Sequence, residues 1–330
     1  MRSALFIRGG ALGDFILTLP SIRAFRQAFP TAHIEILGYP HIAHLALGPE
    51  YAAAVRSIDQ RGMAAFFAEG AALDPGLCAY VAGFDLVVSF LYDPDEVFRR
   101  NLAKAGARRV LAADSRPSGE RHAAEHLAAW LEKAGVAREI EAPRIFPSEI
   151  DLARAAAFSP PSARPRVAIH LGSGSPVKNW PVERFAELAR CLAAEGIEVL
   201  VVEGPADEDA ARRFWSERFP SSVRRCAGLS LPQLAALFAH CAAFVGHDSG
   251  ITHLAAAVGT PVCAIFGPTD ARVWRPRGKR IIVLQRGERP TAVSADEALR
   301  AVLRLVSGAS ASAREPDALP DCPGPFPRSD

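Results

Sequence analysis

Short apolar runs alternate with amphipathic stretches along most of this chain. "ALFIR" reads as a buried strand, followed by glycine-rich "GGALGD" and a helical stretch through "PSIRAFRQAF". "HIEIL", "VRSID", "DLVVSFL" and "RRVLAA" predict further strands. Helix-like segments lie between them, such as "DEVFRRNLAKAG", closed by Gly106. "GERHAAEHLAAWLEKAG" predicts one long helix that stops at Gly135. Strands separated by helices define βαβ units and a parallel sheet.

Around residues 143–165 the periodicity weakens, and several prolines surround a short helix-like piece. This reads as a linker between domains. The alternation then restarts with "RVAIHLGSGS", a strand ending in a glycine-serine loop. "IEVLVVEG", "AFVG", "VCAIFG" and "RIIVLQ" are the later strands. The helices are "PVERFAELARCLAAEG", with Pro181 in its first turn and Gly196 as its stop, then "DEDAARRFWSERF", "LPQLAALFAHC" and "SADEALRAVLRLV". Ser230 caps the third of these, and Ser294 and Glu297 stand at capping-box spacing in the last. From Gly308 the chain is rich in Pro, Ser and Ala without apolar periodicity. The expectation is an α/β chain of two doubly wound parallel-sheet domains facing a central cleft. They cover residues 1–158 and 164–307, with a disordered tail over 308–330.

In such sheets ligands bind beyond the carboxyl ends of the strands. The loops that matter are therefore "GGALGD", "LGSGSPVKNW", "EGPADE", "GHDSG" and "FGPTD". Gly9, Gly10 and Gly13 do not keep the G-x-G-x-x-G spacing of a dinucleotide site, and "HIEIL" ends in Gly38 and Tyr39 rather than an acid. A nicotinamide enzyme is disfavoured. Asp14 is then either a first-turn or capping acid, or a carboxylate aimed at the cleft as a general base. "GSGSPVKNW" fails the P-loop pattern, because Lys178 is followed by Asn179 and Trp180. It reads either as a phosphate cradle or as a flexible loop with a surface lysine. In "GHDSGITH" no glycine lies two residues from Ser249, so it is not a nucleophile elbow. Position after a strand and before a helix favours an anion site at a helix N-terminus. Asp248 is out of place beside an anion. His253 is either a donor in that site or a packing histidine.

Charge and cysteines narrow the classes. A formal net charge of +2, with only short basic clusters such as "RPRGKR", argues against a nucleic-acid partner. Six widely separated cysteines without a C-x-x-C pair argue against a zinc ribbon and a disulfide framework, and fit a reducing compartment. The first residues hold too short an apolar run for a signal peptide, and no segment approaches the ~18 apolar residues of a membrane span. A cytoplasmic protein is expected.

Three stretches resemble glycosyltransferase family 9, the family of ADP-heptose:lipopolysaccharide heptosyltransferases. They are "FVGHDSGITHLAAAVGTPVCAIFGPTD", "IRGGALGDFILTLPSIRAFRQAFPTAHIEIL" and "HLGSGSPVKNWPVERFAELARCL". The resemblance implies a GT-B architecture and an inverting, metal-independent sugar transfer from a nucleotide-diphospho-sugar, with ADP-heptose favoured. The acceptor is a lipopolysaccharide-type or other glycan, free or lipid-linked. No cofactor, metal or nucleic acid is implied, and membrane contact is at most peripheral, at the inner face of the inner membrane. By the resemblance Asp14 is the base that deprotonates the acceptor. Lys178 engages the donor phosphates, and Asp248, Ser249, Gly250 and His253 hold the diphosphate with Ser173 or Ser175. Glu203 is the candidate for the nucleotide ribose, and Arg116, Arg121 and His122 are candidates to meet an acidic acceptor. The competing readings are a nucleotide-sugar epimerase or hydrolase, and a non-catalytic nucleotide-sugar binder.

Overall fold

Strand β1 (Ser3–Arg8) is buried from Ala4 to Ile7 without alternation. That pattern belongs to a parallel strand covered by helices on both faces. It is the centre of a five-stranded parallel sheet with β2 (His33–Gly38), β3 (Ala54–Ser57), β4 (Leu86–Ser89) and β5 (Val110–Ala112), in the order β3-β2-β1-β4-β5. This is a computed structural model, and it describes residues 1–117, 119–160 and 162–308. From residue 309 onward, the stretch read as a disordered tail lies outside the described residues.

A second parallel sheet has six strands: β6 (Arg166–His170), β7 (Glu198–Glu203), β8 (Val223–Ala227), β9 (Ala243–His247), β10 (Val262–Phe266) and β11 (Ile281–Gln285). Their order is β11-β10-β9-β6-β7-β8. Val167, Ile169, Val199, Val201, Val245, Cys263 and Ile265 project into a core completed by Trp180, Phe185 and Phe214. Cys78, Cys226, Cys241 and Cys263 are free thiols.

Both sheets reverse direction once. After β1, β2 and β3 the chain crosses back to place β4 beside β1, and after β6, β7 and β8 it crosses back to place β9 beside β6. At such a switch point the two loops leaving adjacent central strands diverge and leave a crevice. β1 pairs with β4 as far as Ile7 opposite Ser89, and β6 with β9 as far as Ile169 opposite Val245. The loops after these four strands are where each sheet can hold a ligand.

The chain divides into two compact units, Met1–Phe146 and a second that begins at Pro147, inside the proline-rich linker stretch. The helix Glu149–Phe158, capped by Ser148, packs on the helix Leu231–Ala239 of the second unit. The boundary expected at residue 158 would have put it with the first. Two elements also differ from the sequence reading. The long helix expected before Gly135 is split into Ala123–Leu127 and Trp130–Lys133. At the break, Ala128 and Ala129 donate to carbonyls only three residues back, tightening the turn. It seats Trp130 against Phe6, Phe25 and Phe90, so tertiary packing overrides a uniform helical pattern. Strand β8, "VRRCA", was not foreseen. It is an edge strand with Arg224 and Arg225 exposed.

Candidate functional site

At the switch point of the second unit, β6 leads into the loop 172–180 and β9 into Asp248 and Ser249. Gly172 sits where only glycine fits, because a Cβ there would lie 1.7 Å from the Asp207 carboxylate. Asp207 accepts a hydrogen bond from Gly204 N–H (2.8 Å) and lies 3.0 Å from His170 Nε2. The His170 interaction and the Gly204 bond hold the Asp207 carboxyl below its usual range, against the opposing effect of burial. Further along, the Ser173 hydroxyl lies 2.6 Å from Asn179 Oδ1 and 2.8 Å from the Ser175 carbonyl. The loop is thus closed on itself, and Lys178 ends a single 3-10 turn, Pro176–Lys178.

Lys178 Nζ lies 2.6 Å from Asp248 Oδ2, an ion pair that joins the two loops. The lysine is 32% exposed and the aspartate 9%. This accounts for an acid that looked out of place beside an anion site: its partner stands on the other loop. Ser249 is the N-cap of the helix Gly250–Ala257. Its hydroxyl accepts from Thr252 N–H at 3.4 Å, and the Thr252 hydroxyl donates back to the His247 carbonyl. The first N–H groups of this helix, at Gly250 and Ile251, sit beside Lys178's partner. Such helix-start N–H groups are oriented to meet an anion. His253 is buried within the helix.

His247 ends β9 and is wholly enclosed. Trp180 N–H donates to its Nε2 at 2.7 Å, so Nδ1 carries the proton and donates to the Gly172 carbonyl at 3.1 Å. Burial pushes its pKa down to about 4. Sequence reading passed over this residue. Glu203, the ribose candidate at the end of β7, is engaged sideways: its Oε1 accepts from Trp215 Nε1–H and, at 3.0 Å, from Arg225 Nε–H. In the neighbouring "FGPTD" loop, Asp270 caps the short helix Ala271–Trp274 and pairs with Arg272 at 2.8 Å.

The switch point of the first unit is built differently. Gly10, at φ +103°, turns the chain from β1 into the helix Leu12–Ala28. Ala11 is the N-cap and makes no side-chain cap, so Asp14 is a first-turn acid. Its carboxylate is 42% exposed and 3.7 Å from the buried guanidinium of Arg8. Arg8 also donates to the Phe90 carbonyl at 2.8 Å, and burial lowers its pKa against the pull of Asp14. Asp14 lines a cavity of 770 Å³ together with Gln60, Arg61, Phe67, Tyr92 and Arg116. The Arg116 guanidinium stacks 3.3 Å from the centre of the Tyr92 ring. Of the three acceptor candidates, only Arg116 is in this lining. Arg121 is exposed elsewhere, and His122 is a buried N-cap whose Nδ1 accepts from Ala124 N–H at 3.2 Å.

The sequence model of the family described as "Glycosyltransferase family 9 (heptosyltransferase)" matches residues 103–300. Lipopolysaccharide heptosyltransferase 3 of Escherichia coli is 33% identical over 114 residues, 34% of either chain. The match thus spans about a third of the length of that curated relative. Among solved structures, a family 9 glycosyl transferase from Veillonella parvula DSM 2008 superposes with a TM-score of 0.79 at 20% identity, covering 93% of this chain and 98% of the other. The E. coli ADP-heptose lps heptosyltransferase II superposes at 0.75 and 18% identity, covering 93% and 99%. At these identities the likeness establishes the fold, two Rossmann-like parallel-sheet domains of the GT-B type.

Proposed function

Because the chain belongs to glycosyltransferase family 9 (heptosyltransferase), we propose that it moves heptose from ADP-heptose to a lipopolysaccharide-type glycan, with inversion and without a metal ion. The observation that carries the reading is the ion pair of Lys178 with Asp248. It joins the glycine-serine loop to a capped helix start at the switch point of one sheet. Those groups suit a nucleoside diphosphate. The lysine supplies a compact positive charge, the helix start supplies oriented N–H donors, and Ser173 or Ser175 adds a hydroxyl.

In the transfer, the acceptor hydroxyl oxygen attacks the anomeric carbon from the face opposite the diphosphate. The bond from that carbon to the diphosphate oxygen breaks, and the configuration inverts. The Asp14 carboxylate takes the hydroxyl proton. Negative charge accumulates on the departing diphosphate, where Lys178 and the Gly250–Ala257 helix start stabilise it more strongly than in the ground state. Ser249 serves as a diphosphate ligand and helix cap, not as a nucleophile. Asp248 holds Lys178 in place, His253 packs beneath the site, and Glu203 borders the nucleotide end. Arg116 meets an acidic group of the acceptor.

No helix among the described residues is long and apolar enough to cross a membrane. A lipid-linked acceptor is then reached by peripheral contact at the inner membrane face. The test is calorimetric titration with ADP. Binding by the wild-type protein that weakens in Lys178→Ala supports the donor site; equal affinity in the two proteins overturns it.

A further inference from the structure

The imidazole of His247 takes no part in the steps above, yet it touches both ends of the loop that carries Lys178. That loop leaves β6 at Gly172 and enters the helix Val182–Ala194 after Trp180. At its start the Gly172 carbonyl accepts from Nδ1–H, and at its end Trp180 N–H donates to Nε2. Trp180 is itself anchored, 1% exposed, with its indole N–H on the Val293 carbonyl at 2.8 Å. Phe185 meets the imidazole edge-on, with ring centres 5.2 Å apart. His247 also directly precedes Asp248 and Ser249, and its own carbonyl receives the Thr252 hydroxyl. One ring therefore joins the ends of the first loop to the root of the second.

We propose that His247 is a positioning residue. Its neutral Nδ1–H tautomer fixes the span of the loop 172–180, and so sets where the Lys178 ammonium stands relative to the helix start at Ser249. The proposal rests on the reading of Lys178 as a donor-diphosphate contact. Its physical content is that a lysine stem is flexible, so the place of its charge depends on where the loop backbone is held. Two bonds from one rigid ring fix two backbone points at once. Both need a single protonation state, because a proton on Nε2 would face the Trp180 N–H.

The test compares ADP binding to the full-length protein and three variants by calorimetry. His247→Phe keeps a flat ring against Phe185 and removes both hydrogen bonds. His247→Gln keeps one donor and one acceptor on a flexible stem. Lys178→Ala is the reference for loss of the charge itself. We expect His247→Phe to weaken ADP about tenfold, near the loss of one well-placed charge-assisted bond, and His247→Gln to recover most of it. A residue that only supported the fold would lower thermal stability in both variants without this split in affinity. If Lys178→Ala weakens ADP and a folded His247→Phe binds it like wild type, the positioning role is wrong and the donor site stands. If Lys178→Ala binds ADP unchanged, the donor reading itself fails and the positioning role falls with it. Nitrogen-15 spectra of the wild-type protein at neutral pH test the tautomer without any variant. A protonated Nδ1 with a bare Nε2 supports the proposal, and a protonated Nε2 overturns it.

Discussion

The two switch points share one topology and differ in finish. In the second unit, the loops after β6 and β9 are tied by Lys178 to Asp248 and by His247 to Gly172 and Trp180, and Asp207 in the loop after β7 meets His170 at the end of β6. In the first unit, the loops after β1 and β4 border a 770 Å³ cavity, with Phe67 and Tyr92 about half exposed on its wall. Arg8 Nε and Gln60 Nε2 in that lining are buried without a hydrogen-bond partner. A tied site suits a ligand that is always the same, as a nucleoside diphosphate is. A broad site with stacking surfaces suits a larger and more variable glycan. On the proposed reading, rigidity goes where charge is met at fixed points and space where shape is accommodated.

Substitutions can break this contrast. The largest effect is expected from Asp14→Ala, which should reduce turnover by roughly 10²–10⁴-fold while calorimetry shows ADP affinity unchanged. A parallel loss of ADP affinity would mean the two sites are not separate in function. Lys178→Ala should weaken ADP by about 1.5–3 kcal/mol and lower turnover as well, because its charge meets the departing diphosphate. Gly172→Ala forces a methyl into the Asp207 carboxylate and should cost about 1–3 kcal/mol of stability in denaturant unfolding. Adding Asp207→Ala should recover part of that loss; strictly additive losses would show that the close approach is not the cause.

Acid should loosen the tied site before the open one. His247 has its pKa pushed down to about 4, so the unfolded chain binds its proton first. Between the ordinary histidine value and that point, stability must therefore fall as the pH falls, by at most about 1.4 kcal/mol per pH unit. Asp207, held below its ordinary range, adds a loss in the same direction at still lower pH. His170, Asp207 and Asp248 are the titratable neighbours that face His247. Thermal unfolding across this range should show a shallower slope in His247→Gln; an identical slope would assign the acid sensitivity to other groups. The smallest effect separates the acceptor candidates. Arg116→Ala should raise the acceptor KM about tenfold, and Arg121→Ala by no more than about twofold.

Much of this was readable in the chain. Glycine and polar punctuation after apolar runs marked the loops of Asp14, Lys178 and Ser249, because strand ends and helix starts have local rules. The helix caps at Ser230 and Ser294 follow from the same rules. What stayed hidden depends on partners far along the chain. His247 meets Gly172 and Trp180, 75 and 67 residues away, and Asp248 meets Lys178 across 70. No local pattern reports such pairs. In the first unit, Gln60 and Phe67 come from the connection after β3 and Tyr92 from the loop after β4, and only the folded sheet brings them to one wall. Glu203 looked available at a strand end, but a neighbouring strand that the pattern did not show supplies its partner Arg225.

That unforeseen strand has a use beyond its partners. β8 is the last strand of its sheet, and its open side offers backbone groups to any extended chain that drifts by. Its middle residues are Arg224 and Arg225, both exposed. Exposed charged side chains on an edge strand disfavour pairing with a second copy, so the arginines that concealed β8 in the sequence also guard it against edge-to-edge aggregation.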